Sequence, residues 1–265
     1  MKLRCLSLLT LMLLAASPGG AQTGGPLPLP SDTSLIHLDT PVVPPKGGLV
    51  ANLEIRAFGG DEDLSYTGIG VQYRFGDNWS GLLRGTFAGR DNYSLPGGAA
   101  AIRHGGSEVE LVAKYRSVKD PHVAGLIGIS FPDTAAQNDP VLTLGASAAY
   151  PLGKTAAFYL NPKAILLRDN LLLGFGFGVQ ARLSNRVSLL ADITPLLAGE
   201  NTRSTDDGDR ERRSVYGIAL RIARPDNPLS VDIGYSNGTG RTTGAALTPG
   251  LGGASAFYAG LTLRR

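Results

Sequence analysis

Charged and amide side chains recur at every second position in many stretches of this chain, a spacing suited to lining an aqueous path. Glu54 and Arg56 form one such pair, and Glu108 and Glu110 form another. Side chains at alternate positions of a β-strand lie on one face, and charges along a narrow aqueous path select solutes by sign. The sixteen candidates for a lumen lining are Asn52, Glu54, Arg56, Gln72, Arg74, Arg84, Glu108, Glu110, Lys114, Arg116, Lys163, Gln180, Arg182, Asp192, Arg221 and Asp232.

The candidate set contains eight cations and five anions. This excess of positive charge predicts a weak preference for anionic solutes if the lumen conducts. The same groups could instead pair with one another across neighbouring strands and fill the interior. Barrels of about eight strands are filled by side chains, whereas barrels of about 16 to 18 strands leave a channel, so an intermediate barrel leaves both alternatives open.

Hydrolytic chemistry has few candidates in this sequence. A hydrolase needs a nucleophile with a base within reach, or paired carboxylates. His104 lies in a loop and could act with Ser94 or Ser107, but a single loop histidine is usually only solvated. We therefore predict no enzymatic activity and no catalytic residues, and we keep a hydrolase as the weakest alternative.

The clearest pattern for positioning such side chains lies in residues 173–183. Large apolar residues and one alanine occupy the odd positions, and the even positions carry only glycine, Gln180 and Arg182. A strand with this pattern presents one apolar and one polar surface, as a wall between lipid and lumen requires. The glycines Gly174, Gly176 and Gly178 on the polar face would leave space in the lumen or permit tight curvature of the strand.

About twelve segments with this alternation follow residue 47, and short and long connections separate them in turn. The pattern predicts an all-β fold, a transmembrane antiparallel up-and-down β-barrel of about 12 strands. Short turns of bacterial barrels lie on the periplasmic side, and long loops lie outside. An even strand number returns both termini to the periplasmic side.

Two different segments precede the barrel. Residues 1–21 have a basic start, an apolar run and an end of small residues, which is the layout of a cleavable secretory signal peptide. Residues 22–46 contain six prolines, which disfavour ladder pairing, so we expect a Pro-rich periplasmic leader there. The barrel then comprises residues 47–265.

Charge and cysteine content exclude several classes of function. Removal of Lys2 and Arg4 with the signal peptide leaves basic and acidic residues nearly balanced, which argues against a nucleic-acid partner. Cys5, the only cysteine, lies in the signal peptide, so the mature chain has no thiol for a zinc cluster. The acidic loop runs lack EF-hand spacing. We predict no metal and no cofactor.

By this pattern of strands, turns and signal peptide, the chain resembles the porin-like bacterial outer-membrane β-barrel proteins. The resemblance covers the signal peptide and residues 47–265. It implies location in the cell outer membrane, contact with its lipid and lipopolysaccharide, and insertion by the outer-membrane assembly machinery. The last strand departs from the pattern, because residues 261–265 lack the usual final aromatic residue.

The function predicted from these features is a narrow passive channel for small solutes. The alternative is a non-conducting structural or adhesive surface barrel, in which loops at residues 88–106, 197–213 and 236–255 would contact a partner. Loops on rigid scaffolds often carry such binding functions. The sequence does not indicate an oligomeric state.

Overall fold

The computed structural model describes residues 33–58, 65–89, 107–133, 139–167, 170–203, 209–224, 227–250 and 253–265. These ranges contain strands and one short 3₁₀ helix, Ala245–Leu247. The strands are β1 (Leu49–Phe58), β2 (Ser65–Arg74), β3 (Trp79–Ala88), β4 (Ser107–Arg116), β5 (Val123–Asp133), β6 (Val141–Leu152), β7 (Ala156–Leu166), β8 (Leu171–Arg182), β9 (Val187–Thr194), β10 (Leu196–Ala198), β11 (Thr202–Arg203), β12 (Arg210–Glu211), β13 (Val215–Ala223), β14 (Leu229–Ser236) and β15 (Ala256–Arg264). No helix within these ranges is long and apolar enough to cross a membrane.

Twelve of the strands, β1 to β9 and β13 to β15, close into one antiparallel barrel. Strands adjacent in the chain pair with each other, β9 pairs with β13, and the ring closes where β1 pairs with β15. The short β10 continues β9 beyond Pro195 and pairs with β8, while β11 and β12 form a separate small hairpin. The predicted all-β barrel and its strand number are confirmed.

The alternation of side chains determines which of them meet lipid. Side chains of β5 alternate between buried and exposed along almost the whole strand. Leu126 is buried, whereas Ile127 and Ile129 are about half exposed. Leu83 and Leu111 are exposed in the same way on the neighbouring strands. Together such residues form an apolar belt around the barrel, which suits the hydrocarbon core of a bilayer.

Aromatic side chains occur at both ends of this belt. Trp79 and Tyr115 lie side by side at one end, with their ring centroids 4.8 Å apart. Tyr235 and Phe257 lie at the other end, with their centroids 6.2 Å apart. Tyrosine and tryptophan favour the membrane interface, so these two groups mark the edges of the membrane-spanning zone.

Five short connections, those after β2, β4, β6, β8 and β13, lie together at one end of the barrel. The connection from β6 to β7 turns at Gly153, whose φ of 70° is a conformation that glycine adopts readily. Both ends of the barrel sequence also lie here, since the Leu49 N–H donates to the Arg265 carbonyl at 2.8 Å. This is the end predicted to face the periplasm, and we call it the short-turn end.

Leu111→Arg tests the apolar belt, because Leu111 lies near the middle of β4 and is exposed. The substitution places a charge in the hydrocarbon core. We expect the free energy of unfolding in lipid vesicles, measured by guanidinium titration, to fall by about 2 to 4 kcal/mol. The control is Val118→Arg in the β4–β5 turn, where a loss of about 0 to 1 kcal/mol is expected. Equal losses at the two positions would contradict a belt centred on the barrel wall.

Candidate functional site in the barrel lumen

Two internal segments of the chain occupy the lumen. One comprises residues 33–40, which precede β1, and we call it the lumen hairpin. The other comprises residues 237–250, between β14 and β15, and we call it the inner loop. Most side chains in both segments are buried.

The lumen hairpin corrects the predicted periplasmic leader. Leu35, Ile36 and Leu38 at its tip are at most 1% exposed, and they pack with barrel residues that include Tyr159 and Leu190. Residues 33–44 lie mostly inside the barrel rather than in a periplasmic tail, because proline excludes a segment from a ladder but not from packing inside a barrel. Residues 1–32 lie outside the described residues, so the signal peptide and the start of the leader stay predictions.

The hairpin is a tight reversal of the chain. The Leu35 N–H donates to the Leu38 carbonyl at 2.9 Å, and the Thr40 N–H donates to the Thr33 carbonyl at 3.3 Å. The reversal places the apolar tip deep in the lumen, and both of its arms lead back from that tip.

From the hairpin the chain runs to the short-turn end. There Lys46 Nζ donates to Asp77 Oδ1 at 2.9 Å, and the Gly47 N–H donates to the Arg74 carbonyl at 3.2 Å. The hydrogen bond from Lys46, together with its charge, lowers the pKa of the exposed Asp77 carboxyl. The segment therefore joins the wall at the mouth predicted to face the periplasm.

The glycine face of β8 provides the space for this tip. A Cβ atom at Gly178 would lie 2.6 Å from Leu35 Cδ1 and 2.7 Å from Leu38 Cδ1. A Cβ atom at Gly176 would overlap Leu38 as well, and Gly174 faces the inner loop in the same manner. The space left by these glycines is thus filled by the two internal segments.

Arg84 joins the hairpin, the inner loop and the barrel wall. Its Nη1 donates to Asp39 Oδ1 at 2.8 Å, and its Nε donates to Glu110 Oε2 at 2.7 Å. Its Nη2 donates to Thr243 Oγ1 at 3.1 Å. The arginine on β3 therefore contacts the hairpin through Asp39, β4 through Glu110, and the inner loop through Thr243. Hydrogen bonds between charged groups are the strong ones, so this cluster ties the three elements together.

Two lysines of the wall bind backbone carbonyl groups of the N-terminal segment. Lys114 Nζ on β4 donates to the Val42 carbonyl at 2.7 Å. Lys163 Nζ on β7 donates to the His37 carbonyl at 2.6 Å. Both lysines were predicted as lumen cations. In the structure, neutral carbonyl oxygens accept the hydrogen bonds of both lysines.

Asn161, which is not among the sixteen predicted lumen residues, also binds the hairpin to the wall. Its Oδ1 accepts a hydrogen bond from the Asp39 N–H at 3.0 Å, and its Nδ2 donates to the Ala146 carbonyl at 2.6 Å. Ala146 lies opposite Pro162 in the register of β6 and β7, and proline has no N–H to donate. The sequence contained one signal for this role of Asn161, namely a polar residue directly before a proline within a strand.

His37 forms a second link between the hairpin and the wall, and it was predicted only as a residue of the leader. Its Nδ1 is 2.6 Å from Asp192 Oδ1, and its Nε2 is 2.7 Å from Ser236 Oγ. Arg56 Nη1 lies 2.7 Å from Nε2. Arginine can only donate, so Nε2 is the acceptor and the Nδ1–H donates to Asp192. The backbone N–H of His37 donates to the same carboxylate at 2.8 Å.

The inner loop corrects the prediction that residues 236–255 form an outer surface loop. Thr243 Oγ1 donates to Glu110 Oε1 at 2.6 Å, and the Ala245 N–H donates to Glu108 Oε2 at 3.3 Å. Thr242 Oγ1 also donates to Glu108. Residues 237–250 are small or apolar apart from Arg241, so they can fill a lumen and their hydroxyl groups satisfy wall carboxylates. Residues 251 and 252 lie outside the described residues.

Arg241 joins the inner loop to the hairpin and to the wall, where its Nε lies 2.9 Å from Glu54 Oε2. Its Nη1 donates to Ser34 Oγ at 3.0 Å, and its Nη2 donates to the Tyr258 hydroxyl at 2.7 Å. Close by, Arg221 donates two hydrogen bonds to Asp232, both 2.6 Å long. That pair lies within the wall, because β13 and β14 are neighbours.

Twelve of the sixteen predicted lumen residues are buried: Glu54, Arg56, Gln72, Arg84, Glu108, Glu110, Lys114, Lys163, Gln180, Asp192, Arg221 and Asp232. The other four are half-buried: Asn52, Arg74, Arg116 and Arg182. The structure brings many of them together through pairs and through the two internal segments. Their role in lining a conducting path stays a prediction.

A cavity of about 30 Å³ remains between the hairpin and the wall strands β2 and β3. Asp39, Arg84, Gln72 and Arg241 contribute to its lining. One water molecule needs about 10 to 15 Å³ measured in this way, so the cavity has room for water but not for an organic solute. This cavity therefore provides no passage for an organic solute.

The residues considered for hydrolysis and for metal binding have different positions. Ser94 and His104 lie outside the described residues. Ser107 begins β4 and is half-buried. Among the residues that the structure describes, no group of three or more His, Cys, Asp or Glu side chains could hold a metal ion.

Comparisons with known proteins match the fold but not the sequence. No protein-family model and no curated protein matches the chain. The NanC porin matches with a TM-score of 0.54 at 10% identity, over 81% of this chain and 98% of the porin. The KdgM porin in complex with disordered oligogalacturonate gives 0.51 at 7%, over 82% and 98%. The COG4313 outer membrane channel from Pseudomonas putida F1 gives 0.50 at 14%, over 83% and 96%.

These likenesses and the barrel geometry define the class of the protein. A closed antiparallel barrel of twelve strands with an apolar belt is the architecture of outer-membrane barrels, which are embedded in lipid. In fold, the chain is similar to these outer-membrane porins and channels. Its lumen contains two internal segments that are bound mainly by side chains of the wall.

Gly178→Val tests whether the glycine face of β8 is needed for the hairpin. The branched side chain would overlap the ends of Leu35 and Leu38. We expect residues 33–40 to lose protection in hydrogen exchange, and the free energy of unfolding to fall by about 1 to 3 kcal/mol. Gly125→Val is the control, because a Cβ atom there would meet nothing within 4 Å. Unchanged protection of the hairpin in Gly178→Val would refute this packing.

Proposed function

We propose that this chain is a passive channel for small solutes whose lumen hairpin closes the path in the described state. The observation that carries the proposal is how the hairpin is held. Among the described residues, its backbone-to-backbone hydrogen bonds run within the hairpin, while side chains bind it to the wall. Its departure would therefore leave the hydrogen bonds of the barrel ladder intact.

The place where the segment joins the wall supports this proposal. The hairpin precedes β1 and connects to it through residues 41–48, at the short-turn end. It can leave through that mouth without any strand separating from its neighbour. Gly47, with a φ of 72°, and Gly48 lie at the junction with β1.

The charge of the wall supports a weak anion preference in the open state. The predicted lumen set carries eight cations and five anions. Departure of the hairpin would remove the Asp39 carboxylate from Arg84, and it would free Lys114 and Lys163 from the carbonyl groups they bind. A narrow path with this balance favours anions over cations.

The non-conducting alternative remains a competing proposal. The filled lumen supports it. In its adhesive form, the inner loop could not contact a partner outside the barrel in this state, because the loop is buried. In either case we propose that residues 1–21 direct export and that the outer-membrane assembly machinery inserts the barrel. Conductance separates the two alternatives.

A hydrolase is a second candidate, which gains one observation from the structure. Asp192, His37 and Ser236 are arranged as an acid, a base and a nucleophile, with the base in the tautomer that accepts a proton at Nε2. All three side chains are buried, and Arg56 Nη1 donates to Ser236 Oγ at 2.6 Å. An internal latch between hairpin and wall explains this arrangement without catalysis. We therefore propose that the chain is not an enzyme.

The double variant Leu35→Asp/Leu38→Asp tests the channel. It places two carboxylates in an apolar cluster, where an unpaired charge is costly, so we expect the hairpin to leave the lumen. In planar bilayers, the unmodified chain should show rare conductance steps at low voltage, and the variant should show frequent ones. Leu152→Asp/Leu183→Asp is the matched control, because both residues are exposed at the short-turn end.

Two results would contradict this reading. Absence of steps from a variant that still migrates as a folded barrel in unheated gels would favour the non-conducting barrel. A reversal potential in a salt gradient that shows preference for potassium over chloride would refute the charge argument.

Ser236 should not react with a fluorophosphonate probe in the unmodified chain. Its Oγ is buried and bound by Arg56 and His37, so no reagent reaches it in the closed state. Intact-mass measurement after incubation would show this. Labelling that disappears in both Ser236→Ala and His37→Ala would instead establish an activated nucleophile and favour the hydrolase.

A further inference from the structure

Cations outnumber anions where the hairpin meets β3, β4 and β7, next to Asp39. Its carboxylate accepts a hydrogen bond from Arg84, and both side chains are less than a tenth exposed. Lys163 donates to the carbonyl of His37 and Lys114 to the carbonyl of Val42, two and three residues from Asp39 along the chain. Three cations of the wall, on β3, β4 and β7, thus bind the hairpin and the residues that follow it, and Asp39 is the one anion among residues 33–42.

Two charged pairs of the lumen lie within the wall itself. Arg221 and Asp232 form a two-pronged pair between neighbouring strands. Arg56 donates to Glu54 on the same strand at 3.2 Å. These pairs would persist without the hairpin. The cations around Asp39 would not all be matched, because Glu110 binds only Arg84 among them.

When the hairpin leaves, Arg84 keeps Glu110 but loses the partner of its Nη1, and both lysines lose the carbonyl groups they bind. A buried cation without a partner is unfavourable, so these groups must gain water or an anion. A carboxylate is well suited to this place, because the guanidinium of Arg84 already binds one there through Nη1. The cavity of about 30 Å³ beside Asp39 and Arg84 adds room next to the carboxylate.

We propose that Arg84, Lys114 and Lys163 form a carboxylate-binding site in the solute path, and that Asp39 occupies it as an internal substitute for a small organic acid. The site rests on the proposed channel function and gives it a class of solute. An organic acid that enters from either side competes with Asp39 for Arg84, and it thereby favours the open arrangement. No covalent step is involved.

The test uses the full chain with Asp39→Ala, which leaves a gap of the size of a carboxylate between the same cations. Sodium acetate, at ionic strength held constant with sodium chloride, should raise the thermal unfolding midpoint of this variant in a saturable way, because a ligand that binds the folded state stabilises it. Acetamide, the neutral analogue of the same shape, should not. The unmodified chain and Asp39→Asn should show no saturable response, since the site is occupied in both.

A second variant identifies the residues that bind. In Asp39→Ala/Lys163→Met, the acetate concentration for half of the effect should rise by about tenfold, because one charge-assisted interaction is lost. Gln180→Met/Asp39→Ala is the matched control, since Gln180 is a buried wall residue that bonds Tyr159. Equal acetate responses in the unmodified chain and Asp39→Ala, or no effect of Lys163→Met, would overturn the site. Inorganic phosphate that acts as strongly as acetate would overturn its selectivity for carboxylates.

Bilayer recordings separate failure of the site from failure of the channel. Asp39→Ala should open more often than the unmodified chain, and acetate should change its current more than chloride at equal concentration. Saturable acetate binding without any conductance would refute the channel and leave the site. Frequent openings without sensitivity to acetate would refute the site and leave the channel.

Discussion

Closure of the backbone ladder is the constraint on which the rest of this structure depends. Because β1 pairs with β15, the ring has no free edge, and each wall side chain faces either lipid or lumen. The alternation assigns Glu110 and Lys114 to the interior and Leu111 and Tyr115 to the outside. A single strand cannot rotate to expose its charges, so charged groups on the inner face need partners inside the barrel.

A ring of twelve strands encloses more space than a smaller barrel, and the glycine face of β8 adds to it. The hairpin and the inner loop fill this space, and they also supply the partners that wall charges need. Asp39 and Thr243 both bind Arg84, one from each segment, while Glu110 binds Arg84 and Thr243. Packing and charge compensation are therefore achieved by the same two segments.

The strands could be predicted from the sequence because their signal is local. An alternation within ten residues specifies both faces of β8, and the structure places its phenylalanines outside and its glycines inside. The interior could not be predicted in the same way, since Arg84 and Thr243 are 159 positions apart and meet only in the closed ring. Two signals were present in the sequence. One was the apolar residues Leu35, Ile36 and Leu38 within a Pro-rich stretch, and the other was a glycine face that left space unfilled.

The two internal segments differ in how they are connected to the barrel strands. In the proposed function, this difference lets the hairpin leave the lumen while the inner loop stays. The inner loop is joined to strands at both ends, and Asn201 from the connection after β10 donates to its Leu247 carbonyl at 2.7 Å. The hairpin is joined to the barrel only on its C-terminal side among the described residues. If it leaves, Arg84 keeps Glu110 and Thr243, and the wall keeps its ladder. The closed arrangement and the proposed open one therefore share most of their contacts. In the proposed function, their relative free energies depend on the contacts of the hairpin with the rest of the lumen. These contacts are made by the apolar tip, the Asp39 carboxylate, the His37 ring and the carbonyl groups bound by two lysines. A solute that binds the open arrangement better than the closed one shifts this equilibrium by its differential binding.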